Sequence, residues 1–166
     1  MPYPEFHAGM RLTAQHLTLM QPVYIRKINN ETYNTDTLHV DAELTTTLEP
    51  GLFYELSGVL YVSGPADADM LVRMNMPING WCEFMCQSPG NGVSTMPAGM
   101  DYTRRGAGSP FSIGTAGTGT VLSIHYHGLG YSGDGGTMSW SWCKNTATGA
   151  DLMVRSGSYI RAQIAF

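Results

Sequence analysis

Two histidines, His125 and His127, stand two residues apart in the stretch TVLSIHYHGLGY, residues 120–131. Positions i and i+2 of an extended chain share a face, so both imidazoles could meet one metal ion. The same spacing also suits two polar residues lining a strand face at a subunit interface or toward solvent. Trp140 and Trp142 alternate with Ser139 and Ser141. Two indoles on one face could stack on sugars, with Tyr159 as a third aromatic, or anchor a core or an interface. The three cysteines, Cys82, Cys86 and Cys143, include one C-x3-C pair. No second pair completes a four-ligand zinc site. On a strand, i and i+4 lie about 13 Å apart, too far for a disulfide. Buried free thiols are the expectation, and their odd number suits a reducing cytoplasm. No G-x-S-x-G elbow, P-loop or H-E-x-x-H is present. The thirteen acidic residues fall in no pair suited to acid–base work.

Gly119 precedes His125 by six residues, which makes G-x5-H-x-H. This resembles the start of the first cupin metal motif, and cupins are jelly rolls. The cupin pattern implies a glutamate soon after and a second motif with a third histidine. Here no carboxylate follows until Asp134, and no histidine follows His127 at all. A metal would need His7, His16 or His39 as outside ligands. The expectation is therefore no metal and no cofactor, with His125 and His127 as weak candidates only.

The elements that would carry these residues read as strands. The chain has 166 residues, of which 43% are hydrophobic and 13% charged. That is enough for one core, with about half the usual share of charge. The net charge of −4 and the lack of any Lys/Arg run beyond pairs argue against a nucleic-acid partner. No apolar run nears a membrane span of about 18 residues. The opening MPYPEFHAGM has no basic or apolar signal region, so no cleavable signal peptide is expected.

Thr13 caps a predicted two-turn helix over 14–20, ended by Pro22, with Leu12, Leu19 and Met20 on one face. Strands are predicted over 37–41, 43–48, 52–62, 70–75, 81–87, 93–96, 111–113, 120–131, 137–144 and 158–166. In the fourth of these segments' predecessor, LFYELSGVLYV, Leu52, Tyr54, Leu56, Leu60 and Val62 alternate, and Gly58 suggests a bulge or bend. GYSGDGG reads as a hairpin loop. The reading is all-β: a jelly-roll sandwich of two antiparallel sheets over 23–166, preceded by an N-terminal arm with a short helix over 1–22.

The motifs in order resemble a family of small virion proteins of actinobacterial tailed phages and prophages. The resemblance runs from Ala8-Gly9-Met10-Arg11-Leu12-Thr13-Ala14 through Val23-Tyr24-Ile25-Arg26-Lys27 and Thr37-Leu38-His39-Val40-Asp41-Ala42-Glu43-Leu44. It continues with Leu52-Phe53-Tyr54-Glu55-Leu56-Ser57-Gly58, Trp140-Ser141-Trp142-Cys143-Lys144-Asn145-Thr146 and Gly157-Ser158-Tyr159-Ile160. Lys144 stands where the family often has glutamine, and methionines are unusually many. The resemblance implies a non-enzymatic structural protein, a capsid decoration or minor tail protein, made in the bacterial host cytoplasm and resident on the virion.

Its implied partners are itself, as a homotrimer, and the major capsid or tail proteins. The arm, through Arg11, Leu12, Leu19 and Met20, is the expected attachment to the particle. The alternatives are a host-surface or carbohydrate-binding module of a tail fibre, using Trp140, Trp142 and Tyr159, and a cupin-like metalloenzyme centred on the histidines.

Overall fold

Alternation of buried and exposed side chains builds most of the strands. In Trp81–Pro89, Cys82, Phe84 and Cys86 are buried while Trp81, Glu83, Met85 and Gln87 face out. The computed structural model describes all residues except 1–6, 12, 15–20, 67, 90–99, 102–103, 146–150 and 166, and only the backbone of Met100 and Asp101. The strands in chain order are β1 (Val23–Arg26), β2 (Glu31–Tyr33), β3 (His39–Leu48), β4 (Phe53–Gly64), β5 (Met70–Asn75), β6 (Trp81–Pro89) and β7 (Met100–Asp101). They continue with β8 (Arg104–Gly106), β9 (Phe111–Ile113), β10 (Gly117–Tyr131), β11 (Gly136–Lys144), β12 (Leu152–Val154) and β13 (Tyr159–Ile164).

Pairing is nested. β3 pairs β11, β4 pairs β10, β5 pairs β9 and β6 pairs β8, each antiparallel. One long two-stranded ribbon with those rungs, rolled up on itself, distributes alternate rungs to opposite sheets. The four-stranded sheet accordingly runs β3-β11-β5-β9, and the core of the larger one runs β4-β10-β6 with β8 beyond. That is the jelly-roll arrangement. The larger sheet grows to nine strands because β13 and then β1 add to the free edge of β4, with β12 and β2 beside them, and β7 pairs with β6 at the other side.

The core lies between the sheets. Leu56, Leu60 and Val62 of β4, Ile124 and Tyr126 of β10, and Phe84 of β6 meet Met70, Val72 and Met74 of β5 and Met138 and Trp140 of β11. At its centre Trp140 meets Tyr126 edge-on at 5.1 Å and Phe84 at 5.8 Å between ring centroids. Glycines make room for these rings. A Cβ on Gly58 would overlap the Tyr126 hydroxyl and the Tyr159 carbonyl oxygen. On Gly128 it would overlap the backbone of Glu83 and Phe84.

Several expectations change. Gly58 is no bulge: β4 and β10 stay in register from Leu122↔Val62 to Tyr131↔Phe53. Its glycine serves close approach instead. The GYSGDGG segment joins no hairpin, because β10 and β11 belong to different sheets. It carries the chain across the sandwich, with Gly133, Gly135 and Gly136 all at positive φ and the Gly51 amide donating to the Gly133 carbonyl. Segments 37–41 and 43–48 form the single strand β3, opposite a register shift between Ser139 and Ser141. Of the helix over 14–20 only Ala14, whose backbone is helical, is described; its remaining residues and the strand over 93–96 fall outside the described residues. No described helix is long and apolar enough to cross a membrane.

Gly58→Ala forces backbone apart and should lower stability by about 1–3 kcal/mol or more. Gly119→Ala, where an added Cβ meets nothing within 4 Å, should stay within about 0.5 kcal/mol of wild type. Urea unfolding of the two variants checks both.

Candidate functional site

The outer face of the nine-stranded sheet gathers the chemistry-bearing residues. Strand register sets them in rows. His125 lies between Val59 and Gln87, His127 between Ser57 and Met85, Leu129 between Glu55 and Glu83, and Tyr131 between Phe53 and Trp81. Tyr159 of β13 continues the first row beside Val59, and Arg161 the second beside Ser57. The two histidines thus share one strand face, and both are exposed. The His127 Nε2 lies 3.1 Å from Glu55 Oε1, and Arg161 Nη1 lies 3.9 Å from the same oxygen. Arg104 pairs with Glu83 at the far side.

An open groove of about 450 Å³ runs over this region, lined by Ser57, Gly58, Met85, Gln87, His125, His127 and Tyr159 among others. The Tyr159 ring stacks on Tyr24 at 5.0 Å, and its carbonyl accepts the Tyr126 hydroxyl at 3.2 Å. Toward the other end the face turns apolar. Phe53 packs between Tyr131, at 5.0 Å, and Trp81, at 6.2 Å. Phe53, Trp81, Leu129 and Met85 remain 46%, 42%, 43% and 56% exposed.

Trp140 and Trp142 are not ligand residues. Each is 2% exposed, because the β11 face that carries them is turned into the sandwich. Trp140 sits in the central aromatic cluster, and Trp142 meets His39 edge-on at 4.4 Å. The accessible indole is Trp81, whose place on the outward register of β6 could have been read from the alternation around Cys82 and Phe84. Tyr159 does join the histidines, across β4. Arg11 is exposed; Leu12, Leu19 and Met20 lie outside the described residues. None of the three cysteines forms a disulfide, and all are buried. Burial pushes the Cys82 thiol up to about 12, far from the thiolate a nucleophile or metal ligand needs.

A second cluster, unseen in the sequence, lies where the two sheets meet. Lys27, 1% exposed, follows β1 and reaches Asp41 of β3 at 2.8–2.9 Å and Glu31 of β2 at 2.7 Å, with Glu43 at 3.5 Å. Asp41 also accepts the amides of Glu43 and Leu44 and the Trp142 indole N–H. His39 Nε2 lies 3.0 Å from Glu31. The Lys27 ammonium occupies the place a cation would take among these carboxylates. Among the described residues no group of three or more His, Cys, Asp and Glu side chains is arranged to hold a metal. Burial works against the Lys27 charge, but hydrogen bonds to Asp41 and Glu31 and their negative charges outweigh it, and its pKa is raised. The Asn29 backbone amide, foremost, holds the Glu43 carboxyl below its usual range.

No family model and no curated protein matches the chain. Among solved structures it is similar to a chain of infectious bursal disease virus, Gt strain, at 13% identity and TM-score 0.26, covering 100% of this chain and 43% of that one. It is also similar to a mutant VP2 protein of the same virus in derived particles, at 14% identity and TM-score 0.23, covering 86% and 38%. The Gx strain gives 14% identity and TM-score 0.21, covering 86% and 40%. This chain spans less than half the length of each of those chains. Likeness at these TM-scores carries no functional argument, so the chain's own surfaces must supply it.

Asp41→Ala leaves a buried ammonium without its main partner and should cost about 3–5 kcal/mol, read from the urea midpoint. The raised Lys27 pKa means that its stabilisation is full below the ordinary value of 10.5 and fades as pH rises past it. The lowered Glu43 pKa means that its share is present above the ordinary 4.5 and fades on acidification. Unfolding midpoints plotted against pH should fall at both extremes, and Lys27→Met should lessen the alkaline fall without abolishing it, because burial also raises the pKa of Cys82 and Tyr126 and keeps them neutral where the unfolded chain ionises.

Proposed function

We propose that this chain is a non-enzymatic structural protein of a bacteriophage particle. It is displayed on the surface as a capsid decoration or minor tail protein, assembled as a homotrimer and attached through its N-terminal arm. The observation that carries this reading is the apolar end of the outer sheet face, where Phe53, Trp81 and Leu129 stay exposed beside Tyr131 on a fold whose core is already complete. Contiguous exposed apolar surface marks an interaction site. Copies of one chain cover such a patch most simply through closed symmetry.

The arm fits the second half of the reading. β1 is the last strand of its sheet, and Lys27 clamps its end into the sandwich, so whatever precedes Val23 starts from a fixed point at the edge. Arg11, Leu12, Leu19 and Met20 are the residues assigned to particle attachment. The motif order from Ala8 to Ile160 supports the phage assignment by resemblance.

Native mass spectrometry of the purified chain should give a trimer, and Trp81→Glu together with Leu129→Glu should convert it to folded monomer. A protein lacking residues 1–22 should keep the sandwich, judged by its far-UV spectrum, yet no longer cosediment with particles of the phage that encodes it. A monomeric wild type would sink the trimer, and retained cosedimentation would sink the anchor.

A further inference from the structure

The groove at the opposite end of the same face from Trp81 has a composition of its own. Its hydrogen-bonding side chains include Ser57, Gln87, His125, His127 and Tyr159, and among the described residues no Lys, Arg, Asp or Glu lines it. The nearest charges, Glu55 and Arg161, lie at the rim and face each other. Such a lining offers donors and acceptors in planar groups at short intervals, with no net charge to select an ion. Its apolar parts are the Tyr159 ring and the Met85 thioether.

The positions of Tyr159 and His127 are set before any ligand arrives. Tyr24 stacks behind the Tyr159 ring, and the Tyr126 hydroxyl holds the Tyr159 backbone. Glu55 holds the His127 ring. Gly58 leaves the space that lets β13 and Tyr126 come this close. At about 450 Å³ the groove lies within the usual range for small-ligand sites, ~300–1,000 Å³. Preorganised side chains lower the entropic cost of binding.

We infer that the groove formed by Ser57, Gln87, His125, His127 and Tyr159 is a binding site for a neutral saccharide. A sugar ring presents hydroxyls along its edge and a C–H face above and below. The hydroxyls match the imidazoles, the Gln87 amide and the Ser57 hydroxyl. The C–H face matches the Tyr159 ring, which is apolar across its body and polar only at its tip. The site moves the sugar-binding role away from the buried Trp140 and Trp142, and only Tyr159 remains from that trio. The inference does not depend on the trimer: His125 is six residues along β10 from Tyr131, about 20 Å, so the apolar end can be covered while the groove stays open.

The test is a printed array of neutral gluco-, galacto- and manno-configured di- to tetrasaccharides, followed by titration calorimetry with the best binder. Saturable binding by the full-length protein is expected. His125→Ala and Gln87→Ala, both exposed positions, should each weaken it by roughly tenfold, the loss of one well-placed hydrogen-bonding group, with the thermal midpoint unchanged. The double variant Trp81→Glu with Leu129→Glu, expected to break the trimer, should bind as wild type does, so failure of the assembly reading and failure of this one are told apart. Silence of the folded wild type across the array overturns the inference, as does equal binding by the two groove variants. Zinc chloride bound through His125 with no saccharide bound would reassign the groove to a metal.

Discussion

The buried contact between Lys27 and Asp41 governs how the ends of this molecule are joined. Asp41 belongs to the edge of the four-stranded sheet, and Lys27 directly follows the edge strand of the nine-stranded one. Their contact, together with the Trp142 indole and the amides of Glu43 and Leu44 on the same carboxylate, closes the sandwich at that side. A buried pair of this kind gains little over a well-packed apolar one, but it is costly to misplace, because either partner alone is a charge without solvent. Only one docking of β1 satisfies it. The Lys27 amide donating to the Ser158 carbonyl, and the Gly157 amide donating to the Lys27 carbonyl, fix the same segment from the backbone side.

The rest of the packing follows from a second constraint, the space left by glycine on the inward register of the large sheet. Gly58 and Gly128 stand where a side chain would collide with neighbouring strands or with Tyr126. Their absence of Cβ lets Tyr126, Phe84 and Trp140 meet at the centre as three rings in edge-on contact. The groove lies on the outer side of the same strands, and Gly58 borders it as well as the core.

One face thus carries two kinds of surface. Its Phe53–Trp81–Tyr131 end is aromatic and apolar, and suits burial against protein. Its His125–Tyr159 end is polar and uncharged, and suits a small hydroxylated ligand. The crossover from one to the other falls where Glu55 meets His127 and Arg161. A particle protein that assembles through one end and meets a surface glycan with the other would use both without either obstructing its neighbour.

Period-two alternation made the long strands legible. Phe111–Ile113 and Met70–Asn75 match their predicted limits, and the alternation in β4, β6, β10 and β13 assigns the inward register. The order of turns pointed to a two-sheet jelly roll. That His125 and His127 share a face followed from spacing alone; that the face is the outward one is seen only in the structure. Most of the short strands other than Phe111–Ile113 escaped notice. β1, β2, β8 and β12 have three or four residues each, too few for a period to show, and exist because a partner strand supplies their hydrogen bonds. Trp140 and Trp142 could not be assigned to core or surface from the alternation with serine, since Ser139 and Ser141 are buried as well. The Lys27 cluster joins residues 14 positions apart with an indole 101 positions further, and Tyr159 reaches the histidines only across β4. A sequence determines which residues can share a strand face, because that is a property of neighbouring backbone bonds. Which faces meet, and which side chain ends beside which across the sheets, is decided only when the rolled ribbon brings distant strands into register.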